Sequence, residues 1–573
     1  MQRGPGSSAR IRTWVALGCL ALITLALVVL SNLPSSGSPW PWRWQDLPAQ
    51  PFSLSSPTGG ALSVLPGTEA AYAAELLASA GTLGLGIEQA QAGRPWLLPT
   101  GACDSLEAAL ATSLSDGGGV TGVVATPCAG LEAMGIGAPV SYSKEGAATQ
   151  PVAGSDLVLP LPAEGAEWMD LPPGWKAVAR RAGGGVVLAR SAQGITVASF
   201  DVVPFLRLLR QGDPGWANQD RDGIHGPKPN DLMPFPWDER VYVLPGSDLW
   251  VEFLWSLAGK IPRLWPLPSE AKSAVILTFD QDFALADWLD PLLARVELSG
   301  GEATLLTTAG TRQSVSAPLR EAGGELPSAA RLDEWAAWGH GVGLHPNVVG
   351  LSGPKEREEA IELFAAKHPE ARVLRNHFCN WWGYEAMFEI QASLGIWMDL
   401  NYLSIEPRFR PVGFLNQAAR PTRFQGRDGR FLPVLLQSTQ VSDDVLYGEY
   451  PYSNGLSLPE AILATGEALD RAVALRVPLT FNLHPMIQTN EGAAFLDGLL
   501  AAAGQRNVPV ISAERWAAHS WARLARSYGQ PTPEKEPPLL RWIVGGDCSE
   551  KTALSPFAGG GCLAPVRQQQ SVR

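Results

Sequence analysis

Between residues 270 and 525 the chain repeats one pattern: a short apolar run, a polar residue near its end, then a stretch with helical spacing. The runs are "SAVILTF", "GGEATLLTT", "HGVGLH", "ARVLRNH", "GIWMDLNY", "FLPVLLQS", "VPLTFNL" and "NVPVISA". Short runs that stay apolar without alternating read as strands covered on both faces. Segments such as "PKEREEAIELFAAKH" and "SLPEAILATGEALDRAVAL" supply the covering helices. The alternation predicts an α/β fold, here a β/α barrel, whose reactive groups sit at the C-terminal ends of its strands.

The remaining length must hold more than this barrel. At 573 residues two or three domains are expected. Across 61–210, "ALSVLPG", "PWLLPTGA" and "VTGVVATP" alternate with the helical "TEAAYAAELLASAGTLGL" and "SLEAALATSLSDGGG". That order predicts a three-layer α/β domain with a parallel sheet. Residues 211–269 read as a polar, Pro-rich connector and 526–573 as a loose tail. At the other end, Arg3, Arg10 and Arg12 precede an uncharged apolar run from Thr13 to Leu30, giving a signal anchor or signal peptide over 1–33, followed by a Ser/Pro/Gly linker over 34–60. The positive-inside rule then places the rest outside the cytoplasm, with the membrane as a partner. A formal charge of −12 argues against a nucleic-acid partner, which needs a basic face. Beyond Cys19 stand Cys103, Cys128, Cys379, Cys548 and Cys562, an odd set that leaves at least one thiol outside any internal pairing. Cys103 with Cys128, and Cys548 with Cys562, are candidate pairs, but connectivity stays open.

Five strand ends carry groups able to do chemistry: Asp280, His345, Arg375 with His377, Asp399 with Asn401, and His484. Together they predict one shared site. Alternation along a strand sets His340 and His345 on opposite faces, so His340 reads equally as a structural hydrogen-bonder. By the same count Asp280 and Asp282 share a face and Gln281 points away, provided the strand continues to Asp282. His225, His368 and His519 read as loop or surface residues. Trp381 and Trp382, in "NWW", are the best candidates for stacking on a sugar, against core packing as the ordinary use of tryptophan. Asp399 is a further substrate-binding candidate, or a turn cap.

In their order these segments resemble the NodB-type polysaccharide deacetylases, carbohydrate esterase family four. "TFDQD" is similar to the family's Thr-Phe-Asp-Asp-Gly, and "GHGVGLHPNVV" to its Gly-His-Glu-Ile-Gly-x-His stretch. "RNHF" stands at Arg-x-Pro-Tyr, "GIWMDLNY" at the later Asp-bearing strand, and "FNLHP" at the closing Leu-x-His. The resemblance implies hydrolysis of N-acetyl groups on an extracellular or cell-wall polysaccharide with a divalent metal, zinc or similar. It implies Asp280 as general base, Arg375 as its orienting partner, the Phe378 N–H as oxyanion donor, His484 as general acid and His345 as a metal ligand. Two positions depart from the family: Gln281 stands where a metal-ligating aspartate is usual, and Val349 where the second metal histidine is usual. Asp282 and Asn347 are the residues able to make up the ligand set. His377 either packs or reaches the site, and counts as substrate-binding. The alternative is a catalytically inactive glycan-binding or assembly protein of the envelope. The 61–210 domain resembles class I glutamine amidotransferases, with "TPCAGL" similar to their Gly-x-Cys-x-Gly elbow. Its leading Gly is Thr126 and no His-x-Glu pair follows, so Cys128 reads as structural and the domain as non-catalytic.

Overall fold

The structure, a computed structural model, describes residues 62–528 and 542–543, apart from 83–84, 92–93, 116–121, 137, 144–148, 152–157, 163, 182–183, 225, 235–241, 258–262, 265–266, 269–270, 283, 309–326, 352, 406–411, 449 and 491. The expected anchor over Thr13–Leu30, the 34–60 linker, His225, the Cys548–Cys562 pairing and most of the tail lie outside the described residues. Among the described residues no helix is long and apolar enough to cross a membrane.

Seven strands form the first sheet, in the order Leu85–Ile87, Leu62–Val64, Trp96–Leu98, Gly122–Val124, Thr196–Ala198, Val186–Ser191, Trp175–Arg180. The first five are parallel, as the sequence predicts. The last two are antiparallel, a correction to the all-parallel expectation. Their connections explain it: only five residues separate Arg180 from Val186 and four separate Ser191 from Thr196, and a parallel crossover needs a dozen residues or more. Gly194 takes φ +94, which only glycine adopts cheaply. A disulfide joins Cys103 to Cys128, across the loops that follow two neighbouring parallel strands. The Cys128 sulfur is therefore committed to a structural bond.

A second sheet of ten strands carries the candidate site. At its centre lies Val275–Asp280, flanked by Leu479–Leu483 on one side and Thr304–Thr307 on the other. Outward from the latter follow Gly341–Leu344, Val373–Leu374, Met398–Asp399 and Phe431–Leu436, all parallel. Every residue of Val275–Asp280 and Leu479–Leu483 is buried. Val275, Leu277, Phe279, Leu305 and Phe481 share one core with Leu289, Leu293, Trp335 and Leu496 of the surrounding helices. Each such side chain contributes about 1.5–3 kcal/mol by leaving water.

The expected barrel is not closed by strand pairing. One edge of the sheet is the antiparallel hairpin Thr422–Gln425/Phe431–Leu436, and the other is Val441–Ser442 beside Leu479–Leu483. Between them Gln437–Gln440 runs on from Phe431–Leu436 to Val441–Ser442, adding side-chain bonds to a few backbone ones such as the Gln440 N–H to Thr480 O at 3.0 Å. Gln440 Oε1 accepts from the Thr480 N–H at 2.8 Å, and Gln437 Nε2 donates to Ala419 O at 3.0 Å.

The described residues belong to one compact unit, and buried charges join the two sheets within it. Glu75, on the helix Ala70–Ser79, accepts from Arg423 Nη2 at 2.6 Å and from the Tyr528 hydroxyl at 2.8 Å. Arg210 pairs with Asp248 and donates to Arg420 O at 3.0 Å.

Candidate active site

Because these strands run parallel, their polar ends meet along one edge. They open into a cleft of about 360 Å³ lined by Asp280, Asp282, His345, His377 and His484 among others. The strand ends at Asp280, and Asp282 follows in a left-handed turn with φ +46. Simple parity does not survive that turn, yet Asp282 still faces the cleft because its carbonyl is tied to Thr308 Oγ1 at 2.5 Å. Gln281 makes the brace. Its Oε1 accepts from Thr307 Oγ1 at 2.6 Å and the Thr308 N–H at 3.0 Å, and its Nε2 donates to Ala284 O at 3.2 Å.

Asp282 is the hub. Its Oδ1 lies 3.0 Å from His345 Nε2 and 3.3 Å from His377 Nε2, and its Oδ2 lies 3.8 Å from His484 Nε2. His345 Nδ1 lies 2.8 Å from the carbonyl of Arg375, which can only accept, so that nitrogen carries a proton and Nε2 is directed at Asp282. Two ligand atoms each about 2.0–2.1 Å from a tetrahedral zinc stand about 3.3 Å apart. Asp282, His345 and His377 have ligand atoms within 4.8 Å of one another, so they fit a divalent cation with little movement. Asn347 is placed differently: its Oδ1 accepts from the Val349 N–H within its own loop, away from the cleft lining.

Electrostatics agree with that set. Burial would raise the Asp282 carboxyl, but the His345 hydrogen bond and the neighbouring His484 and His377 bring it down to about 2. Burial, reinforced by His345, pushes the His377 ring down to about 4, leaving it neutral. Burial also opposes protonation of His345, but Asp280 and Asp282 outweigh it and raise its pKa.

Behind the trio sits Asp280, 3% exposed, whose Oδ1 accepts from Arg375 Nη1 at 2.8 Å. Arg375 is fixed in turn by Thr278 Oγ1 at 3.0 Å, Thr439 Oγ1 at 2.8 Å and Leu400 O at 3.2 Å. Facing Asp282 from the other flank, His484 places Nδ1 2.6 Å from Asp443 Oδ1 and donates its backbone N–H to Asp443 Oδ2 at 2.8 Å. Burial opposes the imidazolium, but Asp443 and Asp444 hold its pKa well above the ordinary value.

Phe378 lines the cleft at φ +56, next to Cys379 at φ +51. Two successive left-handed residues are costly in a chain without glycine there, and such strain gathers at working sites. Asp399 is buried away from the cleft and accepts from Gln391 Nε2 and Asn401 Nδ2, both at 2.6 Å. Asn401 Oδ1 then receives the Asn376 N–H at 2.8 Å, so Asp399 braces the loop after Arg375 instead of meeting substrate. Burial raises its pKa to about 6 despite those bonds. Trp381, 2% exposed, packs edge-on against Phe388, and Trp382 lies under Arg357; neither lines the cleft. The exposed rings are instead Phe378 and Tyr450, with Tyr452 stacked on the latter at 5.3 Å. His340 precedes the strand Gly341–Leu344, at the end opposite His345, and its Nδ1 accepts the Ala303 N–H at 3.2 Å.

Sequence reasoning missed two groups. Asp443 was visible only as the first acid of "SDD" after an apolar run. Asp222, Ile224, Lys228 and Asn230 come from the connector, whose lack of periodicity gave no signal, yet they form a wall of the cleft.

No family model matches the chain, and no curated protein does. Solved structures that resemble part of it are polysaccharide deacetylases and a carbohydrate esterase. One, described as a polysaccharide deacetylase from Mycobacterium smegmatis, is 16% identical and covers 48% of this chain and 98% of its own, with TM-score 0.34. Another, from Bordetella bronchiseptica and described as involved in O-antigen biosynthesis, is 15% identical over 44% of this chain and 90% of its own, with TM-score 0.23. A family 4 carbohydrate esterase from Streptomyces lividans, in complex with acetate, is 12% identical over 41% of this chain and 91% of its own, with TM-score 0.25. With every TM-score below 0.5, the functional reading is built on the geometry of the cleft.

Proposed function

We propose that this cleft hydrolyses an N-acyl amide on a glycan, with a divalent cation held by Asp282, His345 and His377. The observation that carries this is the hub arrangement: one Asp282 oxygen 3.0 and 3.3 Å from two imidazole nitrogens, with a base pair and an acid pair beside it. A cation there supplies water of lowered pKa and a polarised carbonyl. Asp280 takes the proton of the attacking water, its carboxylate aimed by Arg375. The protonated His484, oriented by Asp443, gives its proton to the nitrogen as the C–N bond breaks. The glycan is supported by the motif order in the sequence and by exposed rings on the rim, which suit the apolar faces of sugars. A compartment outside the cytoplasm is supported by the apolar Thr13–Leu30 run and by the Cys103–Cys128 disulfide, a bond that persists in oxidising surroundings.

A second reading, a glycan-binding relic, draws on the same 3.0 Å contact. A protonated His345 paired with Asp282 needs no cation. The test is acetate release from N-acetylated glycans with and without added zinc, comparing the natural chain with Asp280→Asn. Metal-dependent release that Asp280→Asn abolishes supports the hydrolase. Equal rates in the two remove Asp280 as base, and no bound metal at all favours the relic.

A further inference from the structure

Large apolar side chains collect at the mouth of the cleft. Among the described residues nine such side chains are more than a third exposed, and three of them, Phe378 at 40%, Tyr450 at 39% and Met486 at 41%, line this one cleft. Partly exposed Ile224 and Leu403 extend the same lining. Apolar surface left in water is costly, and where it gathers in a cleft it marks a place that something apolar covers.

This surface begins at the hub. The Phe378 ring lies 4.1 Å from the His377 ring, centroid to centroid. Met486 follows His484 by two residues, in the helix Pro485–Asn490. Tyr450 stacks on Tyr452 at 5.3 Å, and the Tyr452 hydroxyl donates to Asp444 Oδ2 at 3.2 Å, beside His484. An amide whose carbonyl sits at Asp282, His345 and His377 therefore has apolar walls next to its acyl chain. At about 360 Å³ the cleft has the size of pockets that enclose a small organic ligand.

Polar side chains of the lining outside the hub are largely spent on one another: Asp222 on Lys228 and Asn230, and Asp444 on Ser442 and Tyr452. Few are left to hold sugar hydroxyls. Flat rings suit a sugar face, but the aliphatic Ile224, Leu403 and Met486 suit an alkyl chain, which is held by many weak contacts. We propose that the N-acyl group this cleft accepts is longer than acetyl, its alkyl portion lying against Ile224, Phe378, Leu403, Tyr450 and Met486. The inference rests on the hydrolase reading above and names the acyl group. Water gives its hydroxyl to the acyl carbon, the C–N bond breaks and the nitrogen takes the proton, so the products are a carboxylic acid and an amino sugar.

Chitobiose N-acylated with acetyl, butanoyl or hexanoyl groups tests it, with amine release by the full chain in added zinc and binding by calorimetry. Each methylene moved fully out of water is worth about fourfold. From acetyl to hexanoyl, with partial cover, kcat/KM should rise about tenfold or more and Kd should fall by a similar factor. Met486→Ser and Ile224→Ser should each cut that preference about threefold. Equal or slower turnover of the hexanoyl ligand without tightening of Kd would overturn the proposal and leave the hydrolase reading intact. A preference unchanged in both variants, or no binding of any of the three ligands, would also overturn it. If Kd tightens with chain length but no amine is released, hydrolysis falls and the acyl pocket stands.

Discussion

Replacing Arg375 by Met removes a guanidinium that is 1% exposed and makes four hydrogen bonds, to Leu400 O, Thr278 Oγ1, Asp280 Oδ1 and Thr439 Oγ1. The partner left behind matters most. Asp280, 3% exposed, would keep a buried carboxylate without its counter-ion. Breaking a buried pair from one side costs about 3–5 kcal/mol. Asp280→Asn leaves Arg375 its three neutral acceptors, and should cost about 1–3 kcal/mol. In the double variant no unpaired carboxylate remains, so the two losses should fall short of their sum by about 2 kcal/mol. Hydrogen exchange at amides of Val275–Asp280 and Val373–Leu374 reads the local opening free energy in all four proteins. In activity, Arg375→Met should lower kcat with little change in KM, since Arg375 aims the base and does not line the cleft. Strict additivity, or a loss below about 1 kcal/mol in Arg375→Met, would refute this account of the pair.

Other expectations follow from the same geometry. His377→Ala should weaken zinc binding, read by equilibrium dialysis, at least as much as the tenfold to hundredfold typical of losing an outer-shell partner, whereas Asn347→Ala should leave it unchanged. Zinc affinity of the natural chain should rise with pH through the raised His345 pKa, because the cation must displace a proton there. Asp443→Asn should lower the His484 pKa, so the fall of kcat on the alkaline side moves to lower pH; an unmoved limb would remove His484 as the acid. Away from the cleft, burial raises Glu514 to about 7. The folded state then binds the extra proton, so its stability contribution is present at acid pH and is lost between about 4.5 and 7. Glu514→Gln should therefore stabilise more at pH 8 than at pH 5 in urea unfolding.

What the sequence made legible was the part governed by strand burial. Runs such as "SAVILTF" and "VPLTFNL" can be covered on both faces only inside an α/β sheet, and their polar ends had to gather at one edge. The first sheet was read as parallel for the same reason, and failed only where connections of four or five residues force antiparallel pairing. Within the site, errors fall where the backbone leaves the strand. Asp282 reaches the hub through a left-handed turn that alternation does not anticipate, and His377 through the turn before Phe378. Asn347 has the right chemistry but its oxygen is spent on its own loop. Trp381 follows Arg375 closely, yet one turn of chain carries it into the core. Barrel closure was not legible because Gln437–Gln440 spans the gap with side-chain bonds and scattered backbone bonds in place of a repeating ladder.

The connector has a practical consequence for how this molecule can be divided. Pro227 O receives the Trp381 N–H at 2.9 Å, fastening a segment that reads as a tether onto the loop after Arg375. A fragment started at residue 270 would retain Asp280, Asp282, His345, His377 and His484 but would be a tool with one jaw. Conversely, on the hydrolase reading proposed above, trading only residues 211–234 between such chains would re-cut one wall of the cleft while leaving Asp280, Asp282, His345, His377 and His484 as they are, so a change of substrate would come from editing the stretch that looks most expendable.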